Sequence, residues 1–428
     1  MSGNPIERWF AMAGKSPEEA KFYWTGGPIP VSERTWFQSQ ISGVTAFDTD
    51  EGLVLVDTGA KSVGPFLAEK VRQVTAAHVH TAIYTHGHID HAYGLPSFLV
   101  EGQALPRVVA HRAIYDRFER YVRTAGHNEA LNARQGGVVL EPGQAMPLNW
   151  GKPPEITPDT LYDDELSLEV GGLTFELHHC RGETDDHTWI YCQERRVLCP
   201  GDLFIWAVPN AGNPQKVQRY PSHWARGLRD MAALRPDNLC PGHGGPVVEN
   251  PALIQRMLLE TASFLEHIVD QTIAAMNDGS PPHVDIVHRV KLPVSDSPWL
   301  QNIYDDAEFI IRNVIRLYGG WYSGRPSELK PAPRLQVAQI IADLAGGAQV
   351  LLRRSEALAA EGKDRLALHL ADFALEAAPE DPVVREAVAA LYEKRAQKED
   401  GLMASNLLRA AAAYARAGRP FSMGEQSP

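Results

Sequence analysis

Residues 85–91 read Thr-His-Gly-His-Ile-Asp-His and place four potential metal ligands within six positions, namely His86, His88, Asp90 and His91. An apolar, β-prone run precedes them at 81–84. A strand that ends in a tight turn directs the first two histidines toward one point and the other pair toward a second point. Imidazole nitrogen and carboxylate oxygen are ligands that borderline divalent ions such as Zn²⁺ accept. The stretch therefore predicts a metal site at a strand end.

Four other β-prone runs also end in residues that bind metals or orient metal ligands. They end in Val-Asp-Thr-Gly, Arg-Gly-Glu-Thr, Pro-Gly-Asp and Pro-Gly-His, which contain Asp57, Glu183, Asp202 and His243. Helical patterns alternate with these runs, at 61–75 for example, and a long apolar stripe occupies 251–277. Alternating β and α segments favour a layered α/β fold.

The five motifs, in this order, resemble the metal-binding signature of the metallo-β-lactamase fold. The resemblance implies an αββα sandwich that holds two divalent ions, with zinc as the expected metal, about 3.5–4 Å apart. It assigns the first ion to His86, His88 and Glu183, the second to Asp90, His91 and His243, and the bridging position to Asp202. Asp57 is then expected to orient a metal-bound histidine.

Glu183 departs from the pattern of most of that superfamily, which has a histidine at this position. A glutamate here resembles the alkylsulfatase branch and makes the first ion site more anionic. The nearby His179 and His187 stay open as rival ligands.

A second match selects the same branch. Residues 318–324, Tyr-Gly-Gly-Trp-Tyr-Ser-Gly, resemble the hallmark of the alkylsulfatase dimerisation domain. We therefore expect a metal domain at 1–275 and an all-α dimerisation domain at 276–428. Ala- and Leu-rich helical patterns at 335–415 fit this division, and the resemblance implies a homodimer.

The residues expected to contact substrate lie between Asp202 and His243. The alkylsulfatase branch carries an asparagine and a sulfate-binding arginine here. This chain has Gln215 where the arginine would fall, and the substrate-binding candidates are Asn210, Gln215, Lys216 and Arg219. The metal-binding Asp90 and Asp202 are also expected to be catalytic. For proton delivery to the leaving group, three candidates stay open: His187, Tyr220 and His223.

Composition narrows the class of protein. The net charge of −12 argues against a nucleic-acid partner, and no apolar run reaches the length that spans a membrane. Residues 1–30 lack the basic start and apolar core of a secretion signal, so a cytoplasmic protein is expected. The four cysteines show no C-x-x-C spacing and are expected to be free thiols.

The expected function is hydrolysis of sulfate esters, alkyl or aryl, by metal-activated water. Hydrolysis of another ester, such as a phosphoester or lactone, is the main rival hypothesis, because Gln215 replaces the arginine. Two hypotheses from different classes of protein are a di-iron redox protein of the same fold and a non-catalytic helical interaction protein.

Overall fold

The computed structural model describes residues 27–138, 140, 150–279 and 284–419. The chain forms two compact units. Among the described residues, the sheet unit comprises 27–125, 150–279 and 284–319, and the helical unit comprises 126–138, 140 and 320–419. The domain boundary that we predicted at residue 275 stays a prediction, whereas the packing of the chain changes after Gly319.

The first β-sheet of the sheet unit has seven strands in sequential order. Its strands are β1 (Ile29–Ser32), β2 (Thr35–Ser39), β3 (Gly43–Thr49), β4 (Gly52–Val56), β5 (Val79–Ile83), β6 (Arg107–His111) and β7 (Thr160–Tyr162). Strands β1 to β4 are antiparallel to their neighbours, and β4 to β7 are parallel. The parallel part results from the helices that connect these strands.

The second sheet has five strands in the order β12-β11-β10-β9-β8. They are β8 (Glu165–Val170), β9 (Leu173–His179), β10 (Thr188–Cys192), β11 (Val197–Ile205) and β12 (Asn238–His243). Only the pair β11–β12 is parallel, because a helix, α5 (Pro221–Ala233), connects these two strands.

The helices of the sheet unit cover the outer faces of both sheets. They are α1 (Gly64–Arg72), α2 (Ile89–Ala92), α3 (Ile114–Arg123), α5 (Pro221–Ala233), α6 (Pro251–Asn277), α7 (Val284–Arg289) and α8 (Ala307–Tyr318), with short 3₁₀ turns at Leu95–Phe98 and Pro298–Leu300. Helix α4 (Ala125–Gln135) begins at the end of this unit and lies almost wholly in the helical unit.

Successive side chains of a strand point to opposite faces of its sheet, and this alternation divides the core into layers. In β4, Leu53 and Leu55 pack toward α1 and α3, whereas Val54 and Val56 pack between the two sheets. On the far side, the second sheet buries its other face against α5, α6 and α8, with Trp224 among the fully buried side chains. This arrangement confirms the predicted αββα sandwich.

The helical unit follows the predicted Ala/Leu-rich pattern. Its helices after α4 are α9 (Pro326–Leu329), α10 (Arg334–Ala345), α11 (Ala348–Ala360), α12 (Asp364–Ala377), α13 (Pro382–Ala396) and α14 (Leu402–Arg416). Alanines at the helix contacts, such as Ala371 and Ala389, are fully buried and allow close approach of the helices. The predicted helical domain is confirmed.

Two further sequence expectations can be compared with the described residues. All four cysteines are free and buried, as expected. No single helix among the described residues meets the length and hydropathy of a membrane span, although the bent pair α10 and α11 passes that test jointly.

Candidate metal centre

The candidate ligands lie at one edge of the sandwich, where strands of both sheets end. His243 is the last residue of β12, and His86 follows β5 after a short turn. Glu183 lies in the loop after β9, and Asp202 lies in β11 where the pairing with β12 is irregular. Because β4 and β5, and likewise β11 and β12, are parallel pairs, their carboxyl ends meet at the same edge.

The first group of donors consists of His86, His88, Glu183 and Asp202, whose ligand atoms lie within 4.8 Å of one another. Oε2 of Glu183 is 3.8 Å from Nε2 of His86 and 3.7 Å from Nδ1 of His88. The two imidazole nitrogens are closer, at 2.7 Å. Three of the four residues are buried and His88 is partly exposed, so the group lies at the bottom of an opening.

The second group consists of Asp90, His91 and His243. Nε2 of His91 and Nε2 of His243 each lie 3.6 Å from Oδ2 of Asp90. Asp202 lies between the groups. Its Oδ2 is 3.8 Å from Nε2 of His86 and 3.3 Å from Nε2 of His243, and its Oδ1 is 3.3 Å from Nε2 of His91. The position of Asp202 is that of a bridging carboxylate.

Two glycines make room for Asp202. Gly201 has φ of +55°, and a Cβ atom there would lie 2.7 Å from the ring of His187 and 2.8 Å from Thr85. At Gly242, a Cβ atom would lie 2.0 Å from Oδ1 of Asp202 itself. Both positions therefore require glycine, which explains the Pro-Gly that precedes a ligand in each strand.

The protonation of the histidines differs between the groups. Burial, followed by neighbouring positive charge, holds the pKa of His86 and His88 well below the usual range, so both rings are neutral. Burial would also lower the pKa of His91 and His243. Carboxylates, Asp202 foremost, instead raise the pKa of His91 well above the usual range and that of His243 to about 9. The second group thus attracts positive charge.

The donor set fits divalent metal ions. Nε2 of His91, Oε2 of Glu183 and Oδ1 of Asp202 are buried and have no hydrogen-bond partner among the described residues. Two ligands of one tetrahedral zinc, each about 2.0–2.2 Å from it, lie about 3.3–3.6 Å apart. Most of the donor separations, 3.3–3.8 Å, are close to that spacing. Buried polar atoms without partners are rare unless a ligand takes them.

Hydrogen bonds fix the ring orientation of two ligands. Oδ2 of Asp57 lies 2.7 Å from Nδ1 of His91, and this carboxylate also accepts bonds from the amide and hydroxyl of Thr85. Nδ1 of His243 donates to the carbonyl oxygen of Ile41 at 2.7 Å. These bonds leave the Nε2 atoms to face the donor groups. Asp57 thus contacts a candidate ligand, and its role in metal binding stays a prediction.

Asn210 and Arg219, which we predicted to bind substrate, bond to Glu183 instead. Nδ2 of Asn210 and Nη1 of Arg219 donate to Oε1 of Glu183 at 2.7 and 2.6 Å. Arg219 is only 2% exposed, so its guanidinium is not open to a substrate. Burial alone would raise the pKa of Glu183, but Arg219 lowers it, so the carboxylate is ionised.

The rival ligands His187 and His179 do not join either donor group. Nε2 of His187 accepts the amide N–H of Asp202 at 3.1 Å, and Nε2 of His179 bonds to the carbonyl oxygen of Asp185. His187 is fully buried, and burial lowers its pKa to about 3. Its role as a proton donor stays a prediction.

The other two predicted proton donors pack away from the donor groups. Tyr220 lies under the guanidinium of Arg181 and beside the ring of His223. His223 borders an outer cleft of about 750 Å³ between β9, β10 and α5, and none of the seven candidate ligands lines this cleft. Their roles as proton donors stay predictions.

The remaining substrate candidates, Gln215 and Lys216, lie in a turn of the loop before α5. The amide N–H of Gln215 donates to Oδ1 of Asn213. Nζ of Lys216 lies 5.6 Å from the ring centre of Trp150. Burial, then Arg219, lower the pKa of Lys216 to about 7, whereas Glu183 raises it.

The sequence interpretation missed Arg117, which connects the two loops that carry the first donor group. Its guanidinium donates to Asp186 at 2.7 Å and also to Asp185, and Asp186 accepts the amide N–H of Gly87 at 2.8 Å. Arg117 is 2% exposed. Its position on the apolar face of α3, one turn before Tyr121, was the available signal.

Two family models match the chain. The metallo-beta-lactamase superfamily model matches residues 35–243, and the alkyl sulfatase dimerisation model matches residues 283–418. The first range contains all seven candidate ligands and Asp57. The second contains α7, α8 and nearly all of the helical unit after α4.

Several curated relatives and solved structures are similar to this chain. A linear primary-alkylsulfatase of a Pseudomonas species is 27% identical over 369 residues, which cover 81% of this chain and 69% of the relative. An (R)-specific secondary-alkylsulfatase, also from Pseudomonas, is 24% identical, and the match covers 89% of this chain and 60% of the relative. An alkyl/aryl-sulfatase of Saccharomyces cerevisiae is 24% identical, and the match covers 83% of this chain and 58% of the relative.

The solved structure of a stereoselective inverting sec-alkylsulfatase from Pseudomonas shares the fold. It superposes with a TM-score of 0.82 at 20% identity and covers 97% of this chain and 71% of that one. This chain spans only 58–69% of the length of these three curated relatives. By its motifs, its two matched regions and its fold, the chain belongs to the metallo-beta-lactamase superfamily, in the branch that carries the alkyl sulfatase dimerisation domain.

Proposed function

We propose that this protein is a hydrolase of sulfate esters that uses two divalent metal ions. The observation that supports the proposal is the pair of donor groups on either side of Asp202, whose buried atoms Nε2 of His91, Oε2 of Glu183 and Oδ1 of Asp202 have no hydrogen-bond partner among the described residues. The alkylsulfatase relatives support the choice of substrate class. Zinc is the proposed metal, because the donors are imidazole nitrogens and carboxylate oxygens.

The contacts within the metal centre suggest a role for each of its residues. When bound, two divalent ions supply a nucleophile at neutral pH and stabilise charge on the ester oxygens. Neutral His86 and His88 keep a lone pair for the first ion, and ionised Glu183 completes that subsite. Asp202 faces both subsites, and Asp57 holds His91 in one orientation for the second.

Removal of His88 tests the metal assignment. We expect His88→Ala to lose metal from the first subsite and to abolish ester hydrolysis, while the fold is kept, because the partly exposed ring supports no core packing. Elemental analysis of the purified protein and turnover of primary and secondary alkyl sulfates measure both effects. Two ions per chain with unchanged turnover would refute the assignment.

Lys216 is the proposed cation for the sulfate group. Arg219 is occupied by Glu183, and Gln215 is uncharged, which leaves Lys216 as the other basic residue of the segment 210–220. Loss of a charge-assisted hydrogen bond costs about 1.5–3 kcal/mol, so Lys216→Met should raise KM for alkyl sulfates roughly 10–100-fold. Lys216→Arg should restore most of the binding, with metal content unchanged in both variants. An unaltered KM in Lys216→Met would show that another group binds the sulfate.

A second candidate, hydrolysis of another ester, draws support from Gln215. A neutral side chain stands where the alkylsulfatase branch has its sulfate-binding arginine. Parallel assays of alkyl sulfates, phosphodiesters and lactones on the metal-loaded protein distinguish the two candidates. We expect turnover of alkyl sulfates to be the highest of the three.

We also propose that the protein forms a homodimer through the helical unit. The alkyl sulfatase dimerisation model covers most of this unit, and α10 exposes an apolar stripe of Val337, Ile340 and Leu344. Soluble proteins normally cover a contiguous apolar surface with a partner, and closed two-fold pairing is the commonest arrangement.

A further inference from the structure

Helix α8 lies in the region matched by the dimerisation model. It nevertheless contacts the loop whose side chains bond to the candidate ligand Glu183. This loop, residues 210–220, passes from Asn210 to the start of α5. Seven hydrogen bonds join it to Asp305, Asn313 or Arg316 in the segment 305–316. Such a density of bonds indicates that the loop is held in one conformation.

Asn313 bonds to the backbone of Arg219 from both sides. Its Nδ2 donates to the carbonyl oxygen of Arg219 at 2.9 Å, and its Oδ1 accepts the amide N–H of the same residue at a longer 3.5 Å. The side chains of Gln218 and Arg316 also donate to this Oδ1, at 3.1 and 2.9 Å. Asn313 is buried, so these bonds are shielded from water.

Arg219 transmits this constraint to the candidate ligand Glu183. Its guanidinium donates to Oε1 of Glu183 and to the carbonyl oxygen of Asn210, whose side chain donates to the same Oε1. With Oε1 saturated in this way, Oε2 is left to face His86 and His88. A buried carboxylate without these donors would have to rotate or take up a proton.

We propose that Asn313 and Arg219 form a relay that fixes Glu183 for the first metal subsite. Helix α8 is thereby a positioning element of the metal centre. The inference rests on the proposed function, because it needs a metal at that subsite, but it concerns residues that are not ligands. Outer partners of metal ligands change metal affinity by about 10–100-fold when they are removed.

Metal titration of the full-length chain tests the relay. The protein is stripped with a chelator and titrated with Co²⁺, whose absorption spectrum reports each subsite, and with Zn²⁺ against a competing chelator. We expect Asn313→Ala and Arg219→Lys each to weaken one binding step about 10–100-fold and to alter one set of Co²⁺ bands. The metal affinity of the double variant should equal that of the single variant with the lower affinity, because both changes interrupt the same relay.

Two further variants make the test specific. Asn313→Asp keeps the size and the acceptor for Arg316 but loses the donor to Arg219, so it should behave like Asn313→Ala and still fold. Arg229→Ala is the matched control, because this arginine pairs with Glu266 on the exposed face of α5 and α6. It should bind both ions as the wild type does. Thermal unfolding of the metal-free variants shows whether each one folds.

The possible outcomes separate the two proposals. Wild-type affinity for both ions in folded Asn313→Asp, or multiplied effects in the double variant, would overturn the relay and leave the proposed function intact. A wild-type chain that binds fewer than two ions would refute the proposed function itself, and the relay with it.

Discussion

At the scale of single residues, Asp57 combines a left-handed backbone conformation with a buried carboxyl group. Its φ of +59° lies in the left-handed region, which residues other than glycine, asparagine and aspartate rarely adopt. Burial raises the pKa of its carboxyl, and the contacts with His91 and Thr85 offset this only in part. Strain and desolvation at one residue are tolerated where the position serves a function, here the orientation of His91.

Asp57→Asn should therefore weaken metal binding at the second subsite about 10–100-fold. Asparagine adopts the left-handed conformation readily, so the backbone is kept and only the charge facing His91 is lost. Chelator competition on the metal-loaded protein measures the change. Equal affinity of both subsites in the variant and the wild type would show that the charge of Asp57 has no part in metal binding.

At the scale of elements, α3 ties together two loops that are far apart in sequence. Arg117 on α3 pairs with Asp186, and Asp186 binds the amide of Gly87 between two candidate ligands. Arg117 and Asp186 are both almost fully buried, and burial of a charge is costly unless it is paired. The helix therefore fixes the spacing of His86 and His88 relative to the loop of Glu183.

Arg117→Met should destabilise the fold by about 3–5 kcal/mol, because it leaves a buried carboxylate without its partner. Urea unfolding of the metal-free protein measures the change in the free energy of unfolding. Addition of Asp186→Asn to this variant should recover part of the loss, since the unpaired charge is then removed. A double variant less stable than the sum of the two single changes would contradict this account.

The sequence interpretation named residues that the structure brings into two donor groups, but it missed Arg117, and the reason is distance along the chain. His86 and His243 follow strands directly, so a local pattern of apolar residues and glycine predicts their place. Arg219 lies 36 positions from Glu183, and Arg117 lies 69 positions from Asp186. Such pairs form only when the whole sandwich folds, and no local periodicity reports them.

The same limit explains why the sequence did not reveal the hydrogen bonds of Asn210 and Arg219 to Glu183. An arginine and an asparagine in a loop between two ligands can donate hydrogen bonds either to a substrate or to the carboxylate of a metal ligand. Only their burial against Glu183 distinguishes the two roles.

At the scale of the whole molecule, the helical unit exposes more apolar surface than a covered helix would. On α10, Val337, Ile340 and Leu344 are 38%, 60% and 85% exposed, whereas Ala338 and Ala342 form its buried side. The stripe follows the spacing of one helix face. It is therefore the part of this unit that best fits a self-complementary contact.

Ile340→Asp should convert the proposed dimer to a monomer, because a carboxylate in the middle of an apolar contact is desolvated without a partner. Light scattering at micromolar concentration should give a mass near 47.2 kDa for the variant and twice that mass for the wild type. Val294→Asp, in an exposed loop of the sheet unit, is the control and should remain dimeric. A wild-type chain of monomer mass would rule the dimer out.

The bonds between α8 and the loop of Arg219 also decide where this protein can be recombined with its relatives. A chimera joined at residue 283, where the dimerisation match begins, would pair the loop of one enzyme with the α8 of another. Asn313 and its partners would then come from different parents. A joint after Gly319, where the compact units divide, keeps them together. Exchange of the C-terminal region without loss of the metal centre therefore requires that α8 stay with the sheets.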